Sequence, residues 1–290
     1  MVTVSTQNQV VTTNQNVKKN EKKENSFWEN SLINTAAITG GIFCSSLTQP
    51  LISTATNYMG KYSRTLSESQ VNEVINASEN VLSKLTNLKQ KGIDIVDMRV
   101  RPQKLTPLPD WLNNLIDPNP AIVEGKNALS GKDLMGNPRV FVNMEKLSLT
   151  TFHELGHAQN LNNSNFWSKM QKFRNPAMVI AGLIAMTPIF LKKEVAEEGK
   201  ELTKGQKIKN AIRDYSPLAA IGAMLPVVAE ETMASIRGVK WAKQLLSPDL
   251  ANKVLKTNVV AGSTYILSAL SMGVLAYGTK VIKDKLDEKQ

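Results

Sequence analysis

The only two histidines in this chain of 290 residues stand four positions apart, in the run His153-Glu154-Leu155-Gly156-His157. On a helix, positions i and i+4 project from one face, so both imidazoles can reach a single ion. Zinc takes imidazole nitrogen at about 2.0–2.1 Å, and a catalytic zinc site holds three protein ligands and keeps a position open for water. Glu154 follows the first histidine, which sets its carboxylate beside that open position, where it can take a proton from bound water. His153 and His157 are therefore candidate zinc ligands, and Glu154 is the candidate general base of a metallopeptidase. The opposing reading is a surface helix with two incidental histidines. Uncharged Thr151, Phe152 and Ala158 around the motif speak against it.

The third ligand has to come from elsewhere. Asn160 and Asn163 stand where the longer HExxHxxGxxH motif needs its glycine and third histidine, and the single cysteine, Cys44, excludes a cysteine-built site and an internal disulfide framework. A carboxylate is required. Glu194, Glu197, Glu198 and Glu201 lie in a charge-dense stretch, where solvated charge is the natural reading. Glu230 and Glu231 instead end an apolar run, where a charge is costly unless paired or bound to metal. A metal-bound histidine usually donates its other N–H to an acceptor. Ser235, one turn past Glu231, can accept that bond, whereas Ala234, one turn past Glu230, cannot. This favours Glu231 as the ligand. The two glutamates point about 100° apart on a helix, so Glu230 is left as a partner of a histidine, or the two roles are exchanged.

Several elements must position these groups. Ser67 and Gln70 form a capping-box pattern, followed by Val71, Val74, Ile75, Leu82, Leu85 and Leu88 at helical spacing, with Gly92 suited to the end. Ile93, Ile95, Met98 and Val100 read as a strand, and prolines between 102 and 120 mark an irregular connection. A second strand is expected at Ala121–Val123, running on through Asn127-Ala128-Leu129. Val140, Phe141 and Val142 form a third β-prone run, and the helix that carries the motif is expected to start near Leu147.

The rest of the chain alternates in charge. Residues 175–191, 215–229 and 257–279 carry none, and lysine-rich segments separate them. A bilayer core needs about 20 apolar residues in a helix. The last run meets that length, and two apolar helices flanking the charged loop 192–214 would make a membrane hairpin. If all three runs cross, the motif helix and Glu231 share one side, and the loop and C-terminal tail share the other. The net charge of +10 lacks the basic stripe interleaved with aromatics that nucleic acid demands, so no nucleic-acid partner is expected.

The expected architecture is α+β and predominantly helical. A small sheet lies beside the HExxH helix, and the apolar helices span or lie in a membrane. Residues 1–30 read as a disordered polar tail and 31–60 as a weakly apolar helix or poor membrane segment. The zinc-peptidase core covers 61–174, an apolar helical hairpin with a charged loop 175–229, and a helix with the third ligand 230–256. An apolar helix with a basic tail closes the chain at 257–290.

HExxH, then two apolar helices, then Glu-x-x-Ala at Glu231–Ala234 resembles the membrane gluzincins of the HtpX and CAAX-prenyl-protease type, and their smaller bacterial relatives described as neutral zinc metallopeptidases. The resemblance covers roughly residues 120–245. It implies Zn2+ as cofactor, Glu231 as third ligand, a protein or peptide substrate, contact with membrane lipid, and a place in a bacterial inner membrane. It also implies that Asn127 and Ala128, upstream of the motif, bind substrate backbone. The chain departs from the family pattern at Ser235, where the family has Asp. The family's transition-state donor has no evident counterpart, with Arg237 and Tyr215 as candidates. The function expected is a zinc metalloendopeptidase. The alternative is a membrane-anchored interaction protein whose motif is inactive or binds zinc only structurally.

Overall fold

A computed structural model describes residues 27–85, 88, 90, 92–101, 119–163 and 165–288. The tail at 1–26 and most of the proline-rich connection, 102–118, lie outside them. The described chain is mostly helical, with one small sheet.

Two helices, α1 (Phe27–Ser46) and α2 (Gln49–Met59), replace the single segment expected at 31–60. The chain breaks between them at Leu47–Thr48, and Pro50 opens the second helix, where its missing N–H costs nothing. Helix α3 (Glu68–Lys84) starts at the capping box read from the sequence, with Ser67 and Gln70 exchanging both bonds. Gly92, at φ +64°, turns the chain into β1 (Asp94–Asp97).

The segment expected to be a second strand is instead a short helix, α4 (Asn119–Val123). Pro120 near its start fits a first helical turn and outweighs the β preference of Ile122 and Val123. Asn127 and Ala128 lie in the connection that follows, and the strand β2 begins only at Leu129 (Leu129–Lys132). Strand β3 (Pro138–Val142) is central. β1 pairs with it in parallel, Asp94 opposite Arg139 to Asp97 opposite Val142. β2 pairs antiparallel, Leu129 opposite Phe141 to Lys132 opposite Pro138. Successive residues of β3 face opposite ways. Val140 joins the main core with Leu149, Phe152 and Leu155, while Phe141 packs with Val96, Met98 and Ile122.

After a short α5 (Met144–Leu147) and a 3₁₀ turn, the motif lies on α6 (Thr151–Asn163). Helix α7 (Asn165–Ala185) and one-turn α8 (Thr187–Phe190) lead to the charged loop, α9 (Lys204–Asp214) and α10 (Ser216–Ala223). Helix α11 (Leu225–Leu245) starts earlier than the boundary at 230 and ends before 256. The last helix, α12 (Pro248–Glu288), runs for 41 residues. It is longer than expected because Ser247-Pro248 starts it well ahead of the uncharged run.

Alanines line the seams of the helical half. Ala177 and Ala181 of α7 meet Met224, Val227 and Ala269, and Ala185 meets Ala220 and Ala276. The segment Ser216–Leu245 and helix α12 are each long and apolar enough to cross a membrane. Large apolar side chains stand exposed on several of these helices, among them Phe43, Val179, Leu183, Leu218, Val259 and Ile266. At the end of α12 remote from the motif, buried Arg213 pairs with Asp284, and Lys280 bridges Asp214 and Asp284.

Candidate metal centre

Helices α6 and α11 cross at two glycines. A Cβ on Gly156 would strike the carbonyl oxygen of Ala234 and lie 2.7 Å from its Cα. A Cβ on Gly238 would lie 2.6 Å from the carbonyl oxygen of Phe152. The two backbones therefore touch, and the residues facing the crossing meet at short range. On α6 these are His153 and His157, and on α11 they are Glu230, Glu231 and Ser235.

His153 Nε2 lies 3.0 Å from His157 Nε2 and 3.0 Å from Glu231 Oε2. His157 Nε2 lies 3.2 Å from the same oxygen. Three potential ligand atoms thus form a nearly equilateral triangle. Each imidazole is also held at its other nitrogen, His153 Nδ1 by Ser235 Oγ at 3.0 Å and His157 Nδ1 by Glu230 Oε1 at 2.9 Å. Carboxylate Glu230 only accepts, so His157 must donate from Nδ1. When Ser235 likewise accepts from His153 Nδ1, two neutral imidazoles turn their Nε2 lone pairs and a carboxylate oxygen onto one point, which is repulsive unless a cation sits among them. Burial alone disfavours a charged His157, but the Glu231 charge and the bond to Glu230 outweigh it and raise its pKa to about 10. The triangle therefore attracts a positive charge, either a proton or a metal ion.

The spacing also fits a metal. Donors about 2.0–2.1 Å from a tetrahedral zinc lie about 3.3 Å from one another, close to the 3.0–3.2 Å seen here. Glu154 contributes a carboxylate oxygen within 4.8 Å of a nitrogen of each histidine. His153, Glu154, His157, Glu230 and Glu231 are all buried. Buried His/Glu clusters able to hold a metal ion are thus present among the described residues.

Three supports were not evident from the sequence as ligand partners. Arg174 of α7 pairs with Glu231 Oε1, the oxygen turned away from the triangle, and reaches Glu230 Oε2 at 3.3 Å. Asn160 donates to Glu230 Oε1 at 2.8 Å, so Glu230 is fixed on both oxygens. Tyr265 of α12 stands beside Glu231, with its ring 5.7 Å from the Arg174 guanidinium. Arg174 reads in the sequence as one more charge flanking an apolar run, yet it is the last charge before that run. Tyr265 lies within an uncharged run and gives no sequence signal.

Strand β2 packs against α6 and is an edge of the sheet, with β3 on one side only among the described residues. Asn127 and Ala128 lead into it. Asn127 Oδ1 accepts from the Ala128 N–H, and Ala128 packs against Val142, Met144 and Leu147. The two candidate donors part company. Arg237 lies on α11 within the electrostatic reach of Glu230. Tyr215 is exposed at the α9–α10 junction, next to the Asp214 that pairs with Lys280 at the remote end of α12.

No family model, no characterised protein and no solved structure matches the chain.

Proposed function

We propose that the protein is a membrane-associated zinc metallopeptidase of the gluzincin type, with His153, His157 and Glu231 as ligands and Glu154 as general base. The convergence of two Nε2 atoms and Glu231 Oε2 within 3.2 Å, with both Nδ1 atoms already engaged, carries this reading. A zinc ion held there would polarise a scissile carbonyl and lower the pKa of its bound water. The chain's own groups do the rest. Glu154 takes the proton of the attacking water and passes it to the leaving amine. Glu230 fixes the tautomer and ring plane of His157, and Ser235 holds the ring plane of His153. Arg174 and Tyr265 hold Glu231 so that one oxygen faces the histidines. The edge of β2 that no described strand covers offers backbone groups to an extended substrate entering beside Asn127 and Ala128. Three ligands rather than four leave a position for water, which favours a catalytic over a purely structural zinc. Ser216–Leu245 and α12 are the segments that would enter the bilayer.

A second reading has its own observation. Arg174 pairs with both glutamates and His157 holds a proton readily, an arrangement that also suits a metal-free ion-pair cluster in an interaction protein. Zinc content per purified chain, compared between wild type and His157→Ala, separates the two. One zinc per wild-type chain and little in the variant supports the peptidase, and no zinc in either rejects it. Casein hydrolysis by the zinc-loaded chain then tests the chemistry.

A further inference from the structure

Where α2 ends, the chain gathers cations that no carboxylate answers. Lys61 Nζ stands 4.8 Å from the centre of the Tyr58 ring, and Lys256 Nζ, on α12, stands 5.6 Å from that of Tyr62. The two rings meet edge to face at 5.8 Å, with their hydroxyls 3.2 Å apart. The Arg64 guanidinium folds back over Gly60, 3.0–3.2 Å from where a Cβ would stand. Among the described residues no carboxylate pairs with Lys61, Arg64 or Lys256. Other lysines of α12 are neutralised, Lys253 by Asp249, Lys280 by Asp214 and Lys283 by Asp287.

Thr54, Asn57, Tyr58, Lys61 and Arg64 line a pocket of about 500 Å³, and all are exposed. Thr54 spends its hydroxyl on the Pro50 carbonyl. Asn57, Lys61 and Arg64 keep side-chain donors for a ligand. The bond to Tyr62 and the charges of Lys61 and Lys256 lower the pKa of the Tyr58 hydroxyl, so both lysines act at one point. Converging cations with a neutral donor beside them suit a phosphate, which accepts several bonds at once and offsets the repulsion among the cations.

The height of the pocket along α12 selects the phosphate. Helices α1 and α2 run antiparallel to α12, with Gly40 against Ile282, Ser45 bonded to Ser271, and Tyr62 beside Lys256. The uncharged run 257–279 starts at the residue after Lys256. If α12 crosses a bilayer, the pocket is level with the headgroups, the depth that tyrosine favours. We propose that this pocket binds the phosphate of an anionic lipid headgroup, with Lys61 and Arg64 on its oxygens and Lys256 completing the charge. The proposal rests on the membrane part of the proposed function and on neither zinc nor catalysis. The same turn braces the motif helix, because Ser63 Oγ accepts from the Leu149 N–H at 3.2 Å, two positions before α6 starts.

Native mass spectrometry of the full chain in neutral detergent, titrated with phosphatidylglycerol or with phosphatidylcholine of the same acyl chains, tests it. Phosphatidylglycerol should bind more tightly. Lys61→Gln/Arg64→Gln should weaken it about 25-fold, about fivefold for each cation beside a lipid phosphate, and leave phosphatidylcholine within about twofold. Lys192→Gln/Lys193→Gln removes the same charge from the exposed loop and should change neither lipid. Arg64→Lys, which keeps the charge, should lose far less than Arg64→Gln. Unchanged thermal unfolding in lipid-free detergent checks that the variants fold. Equal affinity for the two lipids, or equal weakening in the loop variant, overturns the site. Displacement by glycerol 3-phosphate as readily as by lipid makes the occupant a free phosphate compound and overturns the headgroup. Tighter binding of a single-stranded oligonucleotide, lost in the double variant, makes the partner a nucleic acid and overturns the lipid. The assay needs no bilayer. A chain that stays in the carbonate pellet without the phosphatidylglycerol preference therefore sinks the pocket alone, and a chain released by carbonate sinks the membrane reading.

Discussion

Replacing Gly156 by alanine adds one methyl group where α6 and α11 touch. Its carbon would lie 2.7 Å from the Ala234 Cα and closer still to the Ala234 carbonyl oxygen. Ordinary carbon contacts begin at about 3.4 Å, so the helices must separate locally by about 0.7 Å or more. His153 and His157 stay with α6, and Glu231 moves with α11. The two Nε2–Oε2 distances, 3.0 and 3.2 Å, would then stretch to about 3.7–3.9 Å. Metal–ligand distances tolerate only about 0.2 Å, so the third ligand is lost. Zinc affinity should fall at least about 100-fold, the upper end of what losing a mere support costs. Overpacking should also cost about 1–3 kcal/mol of stability. Zinc titration against a competing chelator reads the first effect, and thermal unfolding in the same detergent reads the second. Gly182→Ala and Gly222→Ala are the controls, since a Cβ there meets nothing within 4 Å. Both should bind zinc normally and be slightly stabilised, by about 0.5–1 kcal/mol. Zinc affinity within twofold of wild type in Gly156→Ala would refute the argument that this contact sets the ligand triangle.

Other outcomes follow from the same geometry. Glu154→Gln should keep one zinc per chain while casein hydrolysis disappears, and full activity in that variant would remove Glu154 as the base. Glu231→Ala should empty the site, whereas Glu230→Ala and Ser235→Ala should each weaken zinc binding about 10–100-fold. Equal losses from the two glutamate variants would mean that their roles are shared, and a larger loss from Glu230→Ala that they are exchanged. Arg174→Ala leaves two buried carboxylates without their guanidinium, which should destabilise the metal-free chain by about 3–5 kcal/mol. Added zinc should restore part of that loss in a thermal melt, and indifference to zinc would argue for the ion-pair cluster. Alkaline carbonate should leave the protein in the membrane pellet. Full release into the supernatant would mean that Ser216–Leu245 and α12 pack only against protein.

The parts visible in the sequence are those set by local periodicity. His153 and His157 four apart, and Ser235 four beyond Glu231, share helix faces whatever surrounds them, so their placement follows from helix geometry. The capping box at Ser67 and Gln70 is likewise a matter of three residues. Short apolar runs are less decisive. Ala121–Val123 suits a strand or a helix, and Pro120 was the signal that it opens a helix. Ser247-Pro248-Asp249 similarly marks the true start of α12. The supports of the site are tertiary. Arg174 reaches Glu231 across 57 positions of sequence and Tyr265 reaches it from the far side, and no spacing rule joins them to the motif.

Helix α12 also makes the candidate metal centre answerable to mechanics at a distance. At 1.5 Å per residue its 41 residues form a rod about 60 Å long, twice the hydrocarbon thickness of a bilayer. One end is anchored by Asp284 on Arg213, and Tyr265, about 28 Å along the rod, leans on Glu231. Pivoting on that anchor by about 5° would carry Tyr265 about 2.5 Å, far more than a metal site tolerates. A bilayer that is too thin or too thick exerts this kind of tilt. If α12 crosses a bilayer as proposed, the thickness of that bilayer becomes a variable that the candidate centre can sense without any ligand binding to it.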